Sequence, residues 1–349
     1  MSDLSAPPPG NEAVRSTLRR WAASGRLHHC LLFEGPAGIG KAAAAQELAL
    51  FLNCTGGDGG GARPCGACWS CRAIAGRSHP DVVTLSLDPE RTAPVISVAQ
   101  VRALLGELTV QPHSARRRMI VVDPADALTV ESANALLKTL EEPPKDTGFV
   151  LVSALPDTLL PTIRSRCQRV RFRPVAEAAV VAWLVGLGHA ADVAAEAAAL
   201  AGGSPGRARE LADGEGARLA EERDALLRAL EGDAEALFAY AEAVGRGERS
   251  AVQERAGRLL TALEGLLHDA LQVRVRGAAA RLGVAAGRPA VARAWAAQLD
   301  LPALGRLHAA LGTVRRDLAA HINTRLVLEA YLAQLIVELG PARRAGASA

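Results

Sequence analysis

Aromatic side chains are scarce in this chain: five Phe, four Trp and two Tyr make up 3% of 349 residues. Ala, Leu and Val must therefore do most of the packing of a core that a chain of this length is large enough to build, in two or three domains. Charge of one sign is lacking as well. Forty basic residues against 37 acidic leave a formal charge of +3, too balanced to point by itself to nucleic acid. Long apolar runs are also missing. The longest uncharged apolar stretch, 178–191, contains His189 and is shorter than the ~20 residues a membrane-spanning helix needs. No N-terminal stretch resembles a secretory signal, and residues 2–11 are polar, Pro-rich and expected to be disordered. A soluble, cytoplasmic protein is expected.

Two further absences are local. The run Leu31-Leu32-Phe33-Glu34-Gly35-Pro36-Ala37-Gly38-Ile39-Gly40-Lys41-Ala42 follows the G-x-x-x-x-G-K-[ST] phosphate-loop pattern up to its final position. Gly35, Gly38, Gly40 and Lys41 would cradle phosphate through backbone N–H groups and a mobile ammonium. Ala42 stands where a hydroxyl should hold Mg²⁺, so metal coordination suffers more than phosphate contact. The bland alternative is a chance Gly-rich turn. The second gap follows Met119-Ile120-Val121-Val122-Asp123, a buried strand with a carboxylate at its tip, where open parallel sheets present their ligands. An active ATPase of this kind needs an acid beside that Asp to orient water, and Pro124 takes that place. Asp126 reads as a cap on the following helix.

What the chain does have is cysteine in a cluster. Of Cys30, Cys54, Cys65, Cys68, Cys71 and Cys167, four fall within 18 positions as C-x10-C-x2-C-x2-C. Four thiolates on short tethers suit a closed, structural Zn²⁺ site, and the glycine tract 56–61 lets Cys54 reach back. The rival reading is a redox pair in Cys68-Trp69-Ser70-Cys71. Cys30 and Cys167 read as ordinary buried thiols. Arg166, in Thr162-Ile163-Arg164-Ser165-Arg166-Cys167, reads on its own as a surface arginine, though one placed to reach a γ-phosphate on a neighbouring subunit. Arg116-Arg117-Arg118 reads as a solvated turn.

Periodicity predicts strands at 30–34, 81–87, 118–122, 148–153 and 170–172, alternating with helices at 11–24, 41–52, 98–109, 130–141 and 160–165. That alternation is the signature of a parallel sheet covered by helices, and Pro143-Pro144 ends one helix firmly. Beyond Pro174 only helices are predicted: 175–187, 193–201 and 207–212, a polar Gly-rich linker at 213–216, then amphipathic helix from 217 to about 339 and a polar tail from 340. Residues 276–290 are too rich in Ala and Gly to place.

These residues together resemble one family. Gly25-Arg26-Leu27-His28-His29 before the phosphate loop, the cysteine module after the loop's helix, Ser78-His79-Pro80-Asp81, Asn134-Ala135-Leu136-Leu137-Lys138-Thr139-Leu140-Glu141-Glu142-Pro143-Pro144 and Ser165-Arg166-Cys167 resemble bacterial clamp-loader AAA+ subunits of DNA polymerase III. The likeness is dense over residues 11–212 and thinner beyond, where Asn323 to Glu329 looks like the family's final helix. It implies a P-loop α/β sheet with helices on both faces (1–173, with a zinc module at 53–76), a helical lid (174–213) and an all-α collar with a disordered tail (214–349). The family's motor subunits, gamma or tau, keep the hydroxyl and the acid that Ala42 and Pro124 replace, and carry a sensor arginine where this chain has Gly206, with Arg207 one place late. The resemblance thus implies a ring member that does not turn over ATP; an active motor-type subunit is the alternative, and a zinc-dependent DNA-binding or redox protein a third. The implied partners are gamma/tau and delta subunits, the sliding clamp and primed DNA within the complex. The implied cofactor is structural zinc, with ATP or ADP binding degenerate or absent. Carried over, Arg166 is a finger acting in trans, and Gly35, Gly38, Gly40, Lys41 and Asp123 line the remnant nucleotide site.

Overall fold

The computed structural model describes residues 7–56, 63–88, 95–108, 110–232, 234–280, 282–285, 288–319 and 323–340. Most of the expected N-terminal disorder, most of the glycine tract and the C-terminal tail lie outside these residues. The chain divides into two compact units, one of residues 1–194 and 201–209, the other of 195–200 and 210–349.

The first unit holds α1 (Glu12–Ala23), β1 (Cys30–Glu34), α2 (Lys41–Asn53), α3 (Trp69–Ala75), β2 (Val82–Leu85), α4 (Val98–Glu107), β3 (Arg118–Val122), α5 (Val130–Glu141), β4 (Thr147–Ser153), α6 (Pro161–Arg164), β5 (Gln168–Arg171), α7 (Glu177–Gly186), the start of α8 (Ala191–Leu200) and most of α9 (Pro205–Glu210). The five strands form one sheet in the order β2-β3-β4-β1-β5, every pairing parallel. Such a sheet needs apolar side chains on both faces, and the strands supply them in alternation. Leu31, Phe33, Met119, Val121, Val150 and Val152 pack on one face with Leu18, Ala45 and Leu48. Cys30, Leu32, Ile120, Val122, Phe149 and Leu151 pack on the other with Val101, Leu136 and Ile163. With few rings available, Phe33, Phe149 and Phe172 are the buried aromatic side chains among the described residues of these layers, with Trp21 packed partly buried against one of them.

Local signals set the helix ends. Ser97 and Gln100 form a reciprocal capping box at the start of α4, and Thr129 caps α5 by accepting from Ser132 N, each satisfying donors that helix starts leave orphaned. Asp126 therefore does not cap α5 as expected. It lies in a one-turn 3-10 helix and turns its carboxylate to β4, accepting from Ser153 Oγ and, at 2.7 Å, from Ala154 N. The basic turn also departs from expectation. Arg118 is buried within β3, where it donates to the carbonyls of Val110 at 2.9 Å and Gln111 at 3.1 Å and pairs with Asp81. Burial also lowers the pKa of Arg117. Helix α3 was not foreseen.

The second unit is helical: α10 (Gly216–Glu231), α11 (Ala234–Gly245), α12 (Arg249–Arg276), α13 (Pro289–Gln298), α14 (Leu301–Ala319) and α15 (Thr324–Leu339). Residues 211–215, which take in most of the linker expected at 213–216, form a π-helical turn that runs directly into α10, with Gly214 at φ 114°. The long α12 is the hub, packed on α10, α13 and α14 through a buried stripe that includes Leu259, Leu263, Leu266 and Leu267. Its buried Asp269 accepts from Gly283 N at 2.8 Å and Ala285 N at 2.7 Å, which orders part of the Ala/Gly-rich stretch that could not be placed. Among the described residues no helix is long and apolar enough to cross a membrane.

Candidate functional site

Three constellations carry chemistry, and all lie in the first unit. The phosphate loop runs from the carboxyl end of β1 to the start of α2, as a P-loop must. Gly35, Gly38 and Gly40 take φ values of 144°, 71° and 94°, a region open to glycine at little cost. The loop is closed from several sides. Lys41 is buried, and its Nζ donates to the carbonyls of Gly35 and Pro36, both at 2.5 Å. Gly206, at the start of α9, donates its N–H to the Gly38 carbonyl at 2.8 Å. A Cβ on Gly38 would lie 2.3 Å from Ser204 Oγ, and one on Gly40 would lie 3.4 Å from Pro8 Cγ. Pro8 is in turn held by Arg15, whose guanidinium donates to its carbonyl at 2.8 Å.

Electrostatically, Lys41, Asp123 and Asp126 form one group. Burial lowers the pKa of Lys41, with Asp123 and Asp126 opposing that shift. Burial raises the pKa of Asp123, with Lys41 opposing. Lys41 and Asp123 thus each help to keep the other ionised. Ala42 is exposed and Pro124 half-buried, and neither offers an oxygen side chain to a metal or a proton acceptor to water. Asp126, the one acid nearby in sequence, is already committed to β4. The residues present therefore do not fit Mg²⁺-ATP as a working P-loop does.

The four-thiol cluster does assemble. The sulfurs of Cys54, Cys65, Cys68 and Cys71 all lie within 4.8 Å of one another. Tetrahedral zinc with Zn–S bonds of about 2.3 Å places its sulfurs roughly 3.8 Å apart, so the cluster fits that ion. Backbone N–H groups support the sulfurs: Cys65 N donates to Cys54 Sγ at 3.3 Å, Cys68 N to Cys65 Sγ at 3.4 Å and Cys71 N to Cys68 Sγ at 3.4 Å. The last of these makes Cys68 the N-cap of α3. Burial opposes ionisation of Cys68, but donors at Thr55, Cys71 and Gly56 outweigh it and hold the thiol at about 5. Cys71 is pushed the other way, chiefly by burial. Gly56 is required by contact, since a Cβ there would sit 2.5 Å from Cys65 Sγ.

The third element is Arg166, between α6 and β5. It pairs with Glu141 at the end of α5 and donates to the Thr162 carbonyl at 2.8 Å. Its side chain is 30% exposed, yet Nε is buried and without a hydrogen-bond partner. The next residue, Cys167, meets Cys30 with a sulfur–sulfur distance of 2.8 Å. The two are therefore not separate buried thiols, and Cys167 is only partly buried.

Sequence reasoning quoted Ser78-His79-Pro80-Asp81 without giving Asp81 a role. The structure buries Asp81 completely and gives it the N–H groups of His113, Ser114 and Ala115 at 2.8–2.9 Å, together with Arg118. A buried Asp beside a basic turn was the available signal.

Residues 10–176 match the family described as DNA polymerase III, delta subunit. The DNA polymerase III subunit delta' of Pseudomonas aeruginosa is 41% identical over 192 residues, 54% of this chain and 57% of that one. The subunit tau of Escherichia coli is 32% identical over 289 residues, 77% of this chain and 44% of that one. The chain thus spans about half the length of these curated relatives. Among solved structures, a DNA polymerase III gamma subunit-related protein from Thermotoga maritima aligns with a TM-score of 0.40 at 18% identity, over 91% of this chain and 97% of that one.

Proposed function

We infer that this chain is a clamp-loader subunit of the DNA polymerase III delta-prime type, a ring member that hydrolyses no ATP itself and completes the active site of its neighbour. The observation that carries the reading is the pair Ala42 and Pro124. In the first turn of α2 and just after β3 they stand where turnover needs a hydroxyl for Mg²⁺ and an acid for water, and neither side chain carries an oxygen.

Arg166 supports the second half of the reading. The terminal nitrogens of this guanidinium lie at the surface, where the side chain is 30% exposed and its carboxylate partner Glu141 is itself half-exposed. Its bond to Glu141 is a half-exposed ion pair, of a kind worth ~0–1 kcal/mol and readily exchanged for a phosphate. An arginine finger contributes ~10³–10⁵ to hydrolysis at the site it enters. In this reading gamma/tau and delta subunits are the partners, the sliding clamp and primed DNA are bound by the assembled ring, residues 174–213 act as a lid, and 214–349 form the collar. Zinc held by Cys54, Cys65, Cys68 and Cys71 stabilises residues 53–76 and takes no part in hydrolysis.

The likeness to a tau subunit favours a second reading, a motor-type ATPase, but that reading needs the groups that Ala42 and Pro124 do not supply. The two separate in one experiment. The chain should assemble with gamma/tau and delta subunits and show no ATP turnover alone, and Arg166→Ala should assemble equally well yet depress hydrolysis by the complex. Brisk turnover by the isolated chain, or an unchanged rate with Arg166→Ala, would defeat the proposal.

A further inference from the structure

We propose that Cys30 and Cys167 are a redox-active thiol pair that closes to a reversible disulfide when the chain meets a hydroperoxide. The pairing comes from the sheet. β1 and β5 run parallel with Leu31 opposite Gln168, so the residue before each, Cys30 and Cys167, face one another at the amino ends of the two strands. Neighbouring strands lie about 4.8 Å apart, inside the roughly 4.4–6.8 Å between Cα atoms that a disulfide spans. The sulfurs already approach to 2.8 Å, so bond formation at about 2.05 Å needs less than an ångström of closing.

The two thiols are unlike. Cys30 is wholly enclosed at 0% exposure, while Cys167 is partly exposed. A peroxide therefore reaches Cys167 and not Cys30. The hydrogen bond with Cys167, and then burial, push the Cys30 thiol far up, so it keeps its proton until its sulfur is used. The Cys167 sulfur attacks one oxygen of hydrogen peroxide: an S–O bond forms as the O–O bond breaks, and the other oxygen leaves with the proton given up by the Cys167 thiol, as water. Cys167 is then a sulfenic acid. Cys30 sulfur attacks Cys167 sulfur, the S–S bond forms, the S–O bond breaks, and the departing hydroxide takes the Cys30 proton as a second water. Two thiols lose two hydrogens and one peroxide gives two waters.

The pair is insulated from the zinc cluster. Cys30 belongs to one face of the sheet and Cys54 and Cys71 to the other, so exchange between the two sets is blocked. Without a resolving thiol, Cys167 would continue to the sulfinic acid, an irreversible negative charge beside Arg166. None of this depends on Arg166 acting in trans.

The test uses the full-length, zinc-loaded chain treated with hydrogen peroxide and digested without reduction. Mass spectrometry should find the Cys30 and Cys167 peptides joined, with zinc content unchanged and both thiols recovered by dithiothreitol. A chain in which Cys167 is oxidised to sulfinic acid, or left as a thiol while cross-links form only among the zinc ligands, overturns the proposal. In Cys30→Ser, dimedone should trap sulfenic acid at Cys167 about tenfold more than in the unaltered chain, because the resolving step is gone. Equal trapping in both also overturns it. Should Cys30→Ser fail to fold, peptide mapping of the unaltered chain decides alone.

Discussion

Gly206 donates its backbone N–H to the carbonyl of Gly38 at 2.8 Å, joining the first turn of α9 to the apex of the phosphate loop with no side chain between them. Both positions need glycine, and unequally. Gly38 has φ 71° and its Cβ would meet Ser204 Oγ at 2.3 Å, whereas a Cβ on Gly206 would meet the Gly38 carbonyl at 3.0 Å. Gly38→Ala should therefore cost about 1–3 kcal/mol, lowering Tm by several degrees, with Gly206→Ala milder. Thermal melts of the two variants check the order, and the reverse ranking would show that this junction is not what holds the loop.

The loop's own chemistry leads to a second prediction. Ala42→Ser restores the hydroxyl that a P-loop uses for Mg²⁺, yet Pro124 still leaves no acid beside Asp123 and Lys41 still caps the carbonyls of Gly35 and Pro36. Steady-state phosphate release by Ala42→Ser should stay at background. If the single hydroxyl brought turnover to the ~1 s⁻¹ or more typical of enzymes, the defect at Pro124 would be harmless.

Elements whose signals are local were legible in the sequence. β1, β3 and α5 have the predicted bounds because an apolar run or a proline pair sets each end. The Gly35–Lys41 loop and the four-thiol cluster were legible for the same reason, since residue type and short spacing suffice. What stayed hidden depends on partners far away in the chain. Arg118 looked solvated because Asp81, which draws it inward, lies 37 residues earlier. Cys30 and Cys167 looked unrelated because only strand register joins them across 137 residues. Asp126 looked like a cap because the acceptor-hungry end of β4 is a tertiary feature. Helix α3 was missed because Cys68, an unusual N-cap, begins it.

For the cysteine cluster, Cys68→Ser should reduce bound zinc from about one equivalent to none, because a closed site needs all four thiolates. Metal analysis of the purified protein measures this directly. A chelator should lower the Tm of the unaltered chain and leave that of Cys68→Ser in place. The ligands must be deprotonated to bind, and hydrogen-bond donors already hold Cys68 at about 5, so zinc should be retained at neutral pH and released on acidification. Full zinc content in the variant would mean that the four sulfurs are not the site.

Asp81 ties the stability of the sheet to pH. Burial alone would raise its pKa, but the N–H groups of Ser114, His113 and Ala115 and the charge of Arg118 overcome that and hold it below the ordinary value. The group's pKa is lower folded than unfolded, so its stabilisation is complete above the unfolded aspartate value of about 3.9. It declines as pH falls from there and is gone below the folded value, where both states are protonated. Asp81→Ala should thus destabilise strongly at neutral pH, by about 3–5 kcal/mol, since it strands the buried Arg118 without its counter-charge. It should also flatten the acid limb of the stability curve. Urea melts of both proteins between neutral pH and pH ~3 test both claims. Parallel pH profiles would assign the acid sensitivity to other carboxylates, even if the neutral-pH loss were large.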